Sequence, residues 1–209
     1  EFKKIYFWEY IHRMTGRSLG IIFIVPFIFF LIKKWLTKKE FIQYTTLLLL
    51  GALQGLIGWF MVKSGLIDKP NVSHIRLAIH FISALILSSY IWWLILNINY
   101  KPLGNKIIYK LSKWFCLVLI IQLIYGAFTA GLKAGYYIDP QSSLNTIFGY
   151  FNTKEMRNLD FINNPLNVQF IHRSLAWGIA LFAFYIWYKS RKTMLNRIGN
   201  VYFSIVIAQ

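Results

Sequence analysis

Long apolar stretches separated by short polar ones set the character of the chain. Runs rich in Ile, Leu, Phe and Val recur at about 7–32, 41–63, 77–98, 113–134 and 167–188, with an incomplete one from about 199 onward. Each of the first five reaches the roughly 17–25 residues that a helix needs to cross about 30 Å of hydrocarbon. Unpaired backbone groups are not tolerated in that medium, so runs of this length are read as helices. The pattern predicts an all-α integral membrane protein, a polytopic helical bundle with about six spans visible and no soluble domain of its own.

Composition agrees: 57% of the 209 residues are hydrophobic and the mean hydropathy is +0.49, where a soluble domain is about 45–50% apolar. The formal charge of +16, from 23 Lys and Arg against 7 Asp and Glu, raises nucleic acid as a partner, but its distribution excludes that class. Basic residues gather in alternate connections: Lys33, Lys34, Lys38 and Lys39; Lys101, Lys106, Lys110 and Lys113; Lys189, Arg191, Lys192 and Arg197. That is the signature of cytoplasmic or matrix loops. It makes the first, third and fifth spans run from outside to inside and puts 1–6, 64–76 and 135–166 outside.

The segment 135–166 is the one long connection, polar and Asn-rich, with Pro140 and Pro165 breaking it. Such loops are more often functional than idle. The lone cysteine, Cys116, lies in an apolar run, which leaves no disulfide framework, no Cys-pair metal site and no covalent haem attachment. Any cofactor is therefore held noncovalently. Glu1 in place of Met, and Gln209 inside an apolar run, suggest a portion of a longer protein.

An internal repeat organises the spans. Glu9-Tyr10-Ile11-His12-Arg13 opens the first span and Gln169-Phe170-Ile171-His172-Arg173 the fifth; Gln54 and Gln209 follow their histidines at 42 and 37 residues. The halves read as parallel copies of one unit, 1–112 lacking its first helix and 113–209 ending before its last. The parent protein is expected to have eight spans in two pseudo-repeated four-helix halves, with a further histidine in its final span.

His12, His80 and His172 each begin an outside-to-inside helix and so share a depth near the outer face. An ionisable group in a membrane span is a functional candidate because burying it without a partner is costly. Below each lies a strip of small residues at +4 and +8: Gly16 and Gly20, Ala84 and Ser88, Ala176 and Ala180. Such strips also let bare helices approach closely. A flat macrocycle needs the same clearance, and paired imidazoles from facing helices are a standard haem seat. His12 with His80 would make one site, His172 with the further histidine a second.

Arg13, Arg17 and Arg173 follow the histidines, where guanidinium groups can hold haem propionates bidentately. Interfacial snorkelling explains Arg13 and Arg173 equally well, the deeper Arg17 less so. Glu9 stands one turn before His12 on the same face, and Gln169 replaces it in the second copy, which suggests chemistry at the first site and electron transfer at the second. His74 is read as a loop residue at the surface. No P-loop, nucleophile elbow, HExxH or GxGxxG occurs.

The segments EFKKIYFWEYIHRMTGRSLG, GALQGLIGWFMVKSGL, VSHIRLAIH, YGAFTAGLKAG and VQFIHRSLAW, in this order over essentially the whole chain, resemble the haem A synthase family. The resemblance implies an oxidoreductase that converts a ring methyl of haem O to the formyl group of haem A by successive hydroxylations, for cytochrome oxidase biogenesis. It implies His12 and His80 as ligands of the substrate haem, Glu9 as the assisting acid, and His172 as one ligand of a haem b. The family's first span, with a loop that carries a cysteine pair in some members, is missing, as is the second haem b ligand.

Such a reaction needs iron chemistry, because no side chain oxidises an unactivated methyl. The expected partners are haem O, the haem O synthase that supplies it, an electron-transfer protein and membrane lipid, with a homo-oligomer compatible; a bacterial inner membrane fits better than a mitochondrial one. Two alternatives stay open: a bis-histidine diheme electron carrier of cytochrome b type, and a transporter or assembly factor whose histidines only bridge helices.

Overall fold

A computed structural model describes residues 2–65, 72–99, 105–137 and 159–208. In chain order these form α1 (Phe2–Ile32), α2 (Lys38–Gly65), α3 (His74–Asn99), α4 (Lys106–Gly131), a 3-10 turn (Ala134–Tyr137), α5 (Pro165–Ser190) and α6 (Asn196–Ala208). Among the described residues there is no strand. The first four helices and α5 are long and apolar enough to cross a membrane, with spans of 25–27 residues and mean hydropathies of 1.3–2.1. Large apolar side chains such as Ile22, Trp92 and Leu181 are exposed along them, as expected where lipid rather than protein covers the outer surface.

Local chemistry sets the ends. Thr37 and Glu40 form a capping box at α2: the Thr37 N–H donates to Glu40 Oε2 at 2.9 Å and the Glu40 N–H to Thr37 Oγ1 at 3.3 Å. Asn105 caps α4 by accepting from the N–H groups of Ile107 and Ile108. Asn164 does the same for α5, with Pro165 at the first helical position, where its missing N–H costs nothing. Lys34 after α1 and Lys133 after α4 turn the chain in the left-handed region, at φ 55° and 53°.

Most helices reach a few residues further than the apolar runs, into polar sequence; α4 instead starts at Lys106, where Asn105 caps it, and stops at Gly131, short of the expected end at 134. One expectation is overturned. His74 does not lie in a surface loop; it opens α3 and is half-buried.

The chain divides into two compact units, Glu1–Ser64 with Ser83–Tyr100, and Gly65–Ile82 with Lys101–Gln209. In the first, Phe27 sets its edge on Tyr44 at 6.5 Å, Ser83 donates to Gln54 Oε1 at 2.5 Å and Tyr90 to the Gln43 carbonyl at 3.3 Å.

The second unit has the denser core. Phe115 of α4 packs with Ile179, Ala183 and Ile186 of α5, joined by Phe182 and by Tyr202, Phe203 and Val206 of α6. Trp187 stacks on Phe203 at 5.1 Å. A Cβ on Gly199 would collide with the Ser190 hydroxyl, so glycine is what lets α6 close on α5.

Candidate functional site

The three candidate ligand histidines do not open their helices as expected but lie about two to three turns inside them, because each helix starts earlier than its apolar run: α1 at Phe2, α3 at His74 and α5 at Pro165. Their surroundings differ. His12, in the first unit, is exposed on α1. Glu9 and Arg13 pair across one turn beside it, Oε1 to Nη2 at 3.3 Å, with both side chains more than 40% exposed. Arg17 reaches back to the Met14 sulfur at 3.7 Å. A Cβ on Gly16 or Gly20 would meet nothing within 4 Å, so the strip below His12 is open.

His80 is half-buried on α3. Ser88, two turns on, donates to the Ala84 carbonyl at 2.9 Å. Its hydroxyl is turned into the helix backbone, which keeps that strip apolar in character. Ser83, one turn from His80, makes the bond to Gln54 described above.

His172 is held most closely. Its imidazole packs on the backbone of α4, where a Cβ on Gly126 would stand 3.2 Å from Cε1. Its Nδ1 is buried and meets no hydrogen-bond partner, and the same holds for Oε1 of Gln122 on α4. Arg173 and Ala176 are exposed beside it and Ala180 half-exposed.

His74 occupies a second tight place. Its ring meets Phe128 edge-on at 5.3 Å, and a Cβ on Gly131 would lie 2.6 Å from its own Cβ. Its Nε2 is likewise buried without a partner.

Asp160, in the turn before α5, accepts from the N–H groups of Asn163 and Ile162 at 2.8 and 3.0 Å and from the Asn163 amide. The Asn163 backbone bond, then the Asn163 side chain and the Ile162 N–H, hold its carboxyl below the usual range, with His74 adding a smaller pull. Asn167 ties the turn to α5 by donating to the Asp160 carbonyl at 3.2 Å.

Sequence reasoning missed Gln122 and Gly126. A signal existed, since Gln-x3-Gly recurs as Gln54 with Gly58 in α2 and Gln122 with Gly126 in α4. Gln209, Lys101 and Pro140 lie outside the described residues, as does most of the 135–166 connection.

Helix lengths, hydropathy and lipid-type exposure define an all-α polytopic integral membrane protein. Over residues 1–209 it matches the family described as cytochrome oxidase assembly protein, and the chain belongs to that family. It is 41% identical to heme A synthase of Flavobacterium psychrophilum over 203 residues, covering 94% of this chain and 60% of the relative. It is 39% identical to that of Flavobacterium johnsoniae, with the same coverage, and 35% to that of Nitrosospira multiformis, covering 94% and 57%. The chain thus spans about 60% of the length of these relatives. No solved structure gives a significant match.

Proposed function

We propose that the chain carries most of a haem A synthase, an oxidoreductase acting on haem O in cytochrome oxidase assembly. The observation that carries the reading is the His172 imidazole, whose buried Nδ1 has no protein partner at the joint of two spanning helices. A nitrogen left in that state without hydrogen bonding is costly, and ligation to iron would satisfy it. The residues present therefore fit a haem.

In this reading His172 is one ligand of haem b, and His12 with His80 ligates haem O, the substrate. The alternation of basic loops is what supports assigning all three to the outer side, in two halves, 1–112 and 113–209, of an eight-span protein. A bound haem supplies the iron chemistry that oxidation of a ring methyl requires.

The chain's own residues hold, orient and move protons. Arg13, Arg17 and Arg173 are placed to meet propionate carboxylates. Arg13 is engaged by Glu9 at 3.3 Å, so a propionate would compete with Glu9 for it. Glu9, paired through Oε1 with Arg13, stands three residues before His12 and is the carboxylate that would exchange a proton at that site. Gln169 at the matching position of the second copy cannot do so, in keeping with electron transfer there. The haem O synthase and an electron donor are the partners that this chemistry calls for.

The test is to express the whole gene in a host that supplies haem O, purify the protein and identify its extracted haems by chromatography and mass spectrometry. Haem A or a hydroxylated intermediate, lost in His12→Ala, supports the synthase. Haem b alone favours an electron carrier, and absence of haem overturns the ligand reading. Glu9→Gln should keep its haem and convert haem O about 100-fold more slowly, the scale of a lost acid or base.

A further inference from the structure

The His172 ring rests on a stretch of α4 that has no side chain to cover it. A Cβ on Gly126 would lie 3.2 Å from Cε1, 3.7 Å from Nδ1 and 4.0 Å from Nε2, the first of these closer than the usual contact of about 3.5–4.0 Å. In a helix the Cα–Cβ bond leans toward the N-terminus. A side chain at 126 would therefore lean back over the carbonyl of Gln122, four residues earlier. Glycine leaves that carbonyl open on the side of α4 against which the His172 ring packs. The carbonyl has a second lone pair beyond the one its own helix uses.

The ring thus lies over main chain that has an acceptor to offer, and its Nδ1, nearer to a Cβ at Gly126 than Nε2 is, is buried without a hydrogen-bond partner. Metal-bound histidines are commonly oriented in this way, one nitrogen ligating and the other donating to a backbone carbonyl, which fixes the ring and raises its basicity. We propose that Gln122 and Gly126 are positioning residues for His172: the Gln122 carbonyl takes the ring N–H, and Gly126 keeps it within reach. The inference rests on His172 being a haem ligand.

The experiment uses the full-length protein with haem b bound and compares Gly126→Ala with Gly178→Ala, a site on α5 where an added Cβ meets nothing within 4 Å. Gly126→Ala should retain its haem, raise the midpoint potential of that haem through a less basic imidazole, and move its low-spin EPR g values; Gly178→Ala should leave both unchanged. A wild-type potential and spectrum in Gly126→Ala overturn the inference.

If Gly126→Ala does not accumulate, pulsed EPR on the wild type reads the quadrupole coupling of the remote imidazole nitrogen. A hydrogen-bonded value supports the seat and a free value overturns it. His172→Ala separates the two layers: loss of haem b there with no shift in Gly126→Ala removes the positioning role alone, whereas retained haem b removes the ligand reading and this inference with it.

Discussion

On α1 the motif ending in His12-Arg13 leads into open surroundings, with His12 exposed and nothing within 4 Å of a Cβ at Gly16 or Gly20. On α5 the motif ending in His172-Arg173 leads into a protein joint, where the imidazole presses on Gly126 and α5 runs on into the Phe115, Ile179 and Ala183 core. The same sequence element therefore carries two environments. Its neighbour, rather than the motif, decides whether the histidine is fixed by packing or left accessible. A tightly held ligand suits a resident haem, and an accessible one beside a carboxylate suits a substrate that must arrive and leave.

The sharpest break of that comparison is at the ligands. His172→Ala should reduce haem b affinity by more than about 100-fold, beyond what loss of an orienting partner does, as read by the pyridine haemochrome of the purified protein. His12→Ala should leave the haem b content at the wild-type level. Equal loss in both variants would mean that the two copies do not serve separate haems.

The next contrast is in stability. Phe115→Ala removes the ring that α5 and α6 close upon and should cost about 3 kcal/mol, the scale of a core aromatic deletion, measured by thermal unfolding in detergent. Ile22→Ala on α1, where the side chain is 67% exposed, should stay within about 0.5 kcal/mol. A large effect at Ile22 would show that α1 is packed against protein in the assembled molecule.

Helix entry gives a smaller difference. Asn164→Ala removes the acceptor for the N–H groups of Leu166 and Asn167 and should cost about 1 kcal/mol. Glu9→Gln breaks an ion pair that is largely in solvent and should cost no more than about 0.5 kcal/mol. Its loss of turnover would then stand apart from any loss of fold.

Much of this was legible in the sequence, because hydrocarbon imposes a period-free apolar run of fixed length and basic loops punctuate it. The order of the spans follows from those rules alone, whereas the histidines read as opening their helices sit about two to three turns inside them, since the helices begin in polar sequence that hydropathy does not mark. What was not legible depends on which residue faces which. His74 reads as a loop residue by its distance from His80, but it opens α3 and packs against α4 at Gly131, where only the absence of a Cβ allows so close an approach. Gly126 looks like one more small residue until the His172 ring is placed against it.

The smallest effect concerns how α5 is entered. Asp160 organises the turn ahead of Asn164 through its bonds to Asn163 and Ile162, and these keep its carboxyl below the value of about 3.9 that a free aspartate has. A folded-state pKa lowered in this way contributes stability that is present above the unfolded value and is lost as pH falls through the folded one. Hydrogen exchange of the Ile162 and Asn163 amides should therefore quicken as the pH is lowered below about 4, relative to core amides such as that of Ala183. In Asp160→Asn the turn should be looser at neutral pH and show no such acid step. A step that persisted in Asp160→Asn would assign it to another group and leave the entry to α5 resting on Asn164 and Asn167.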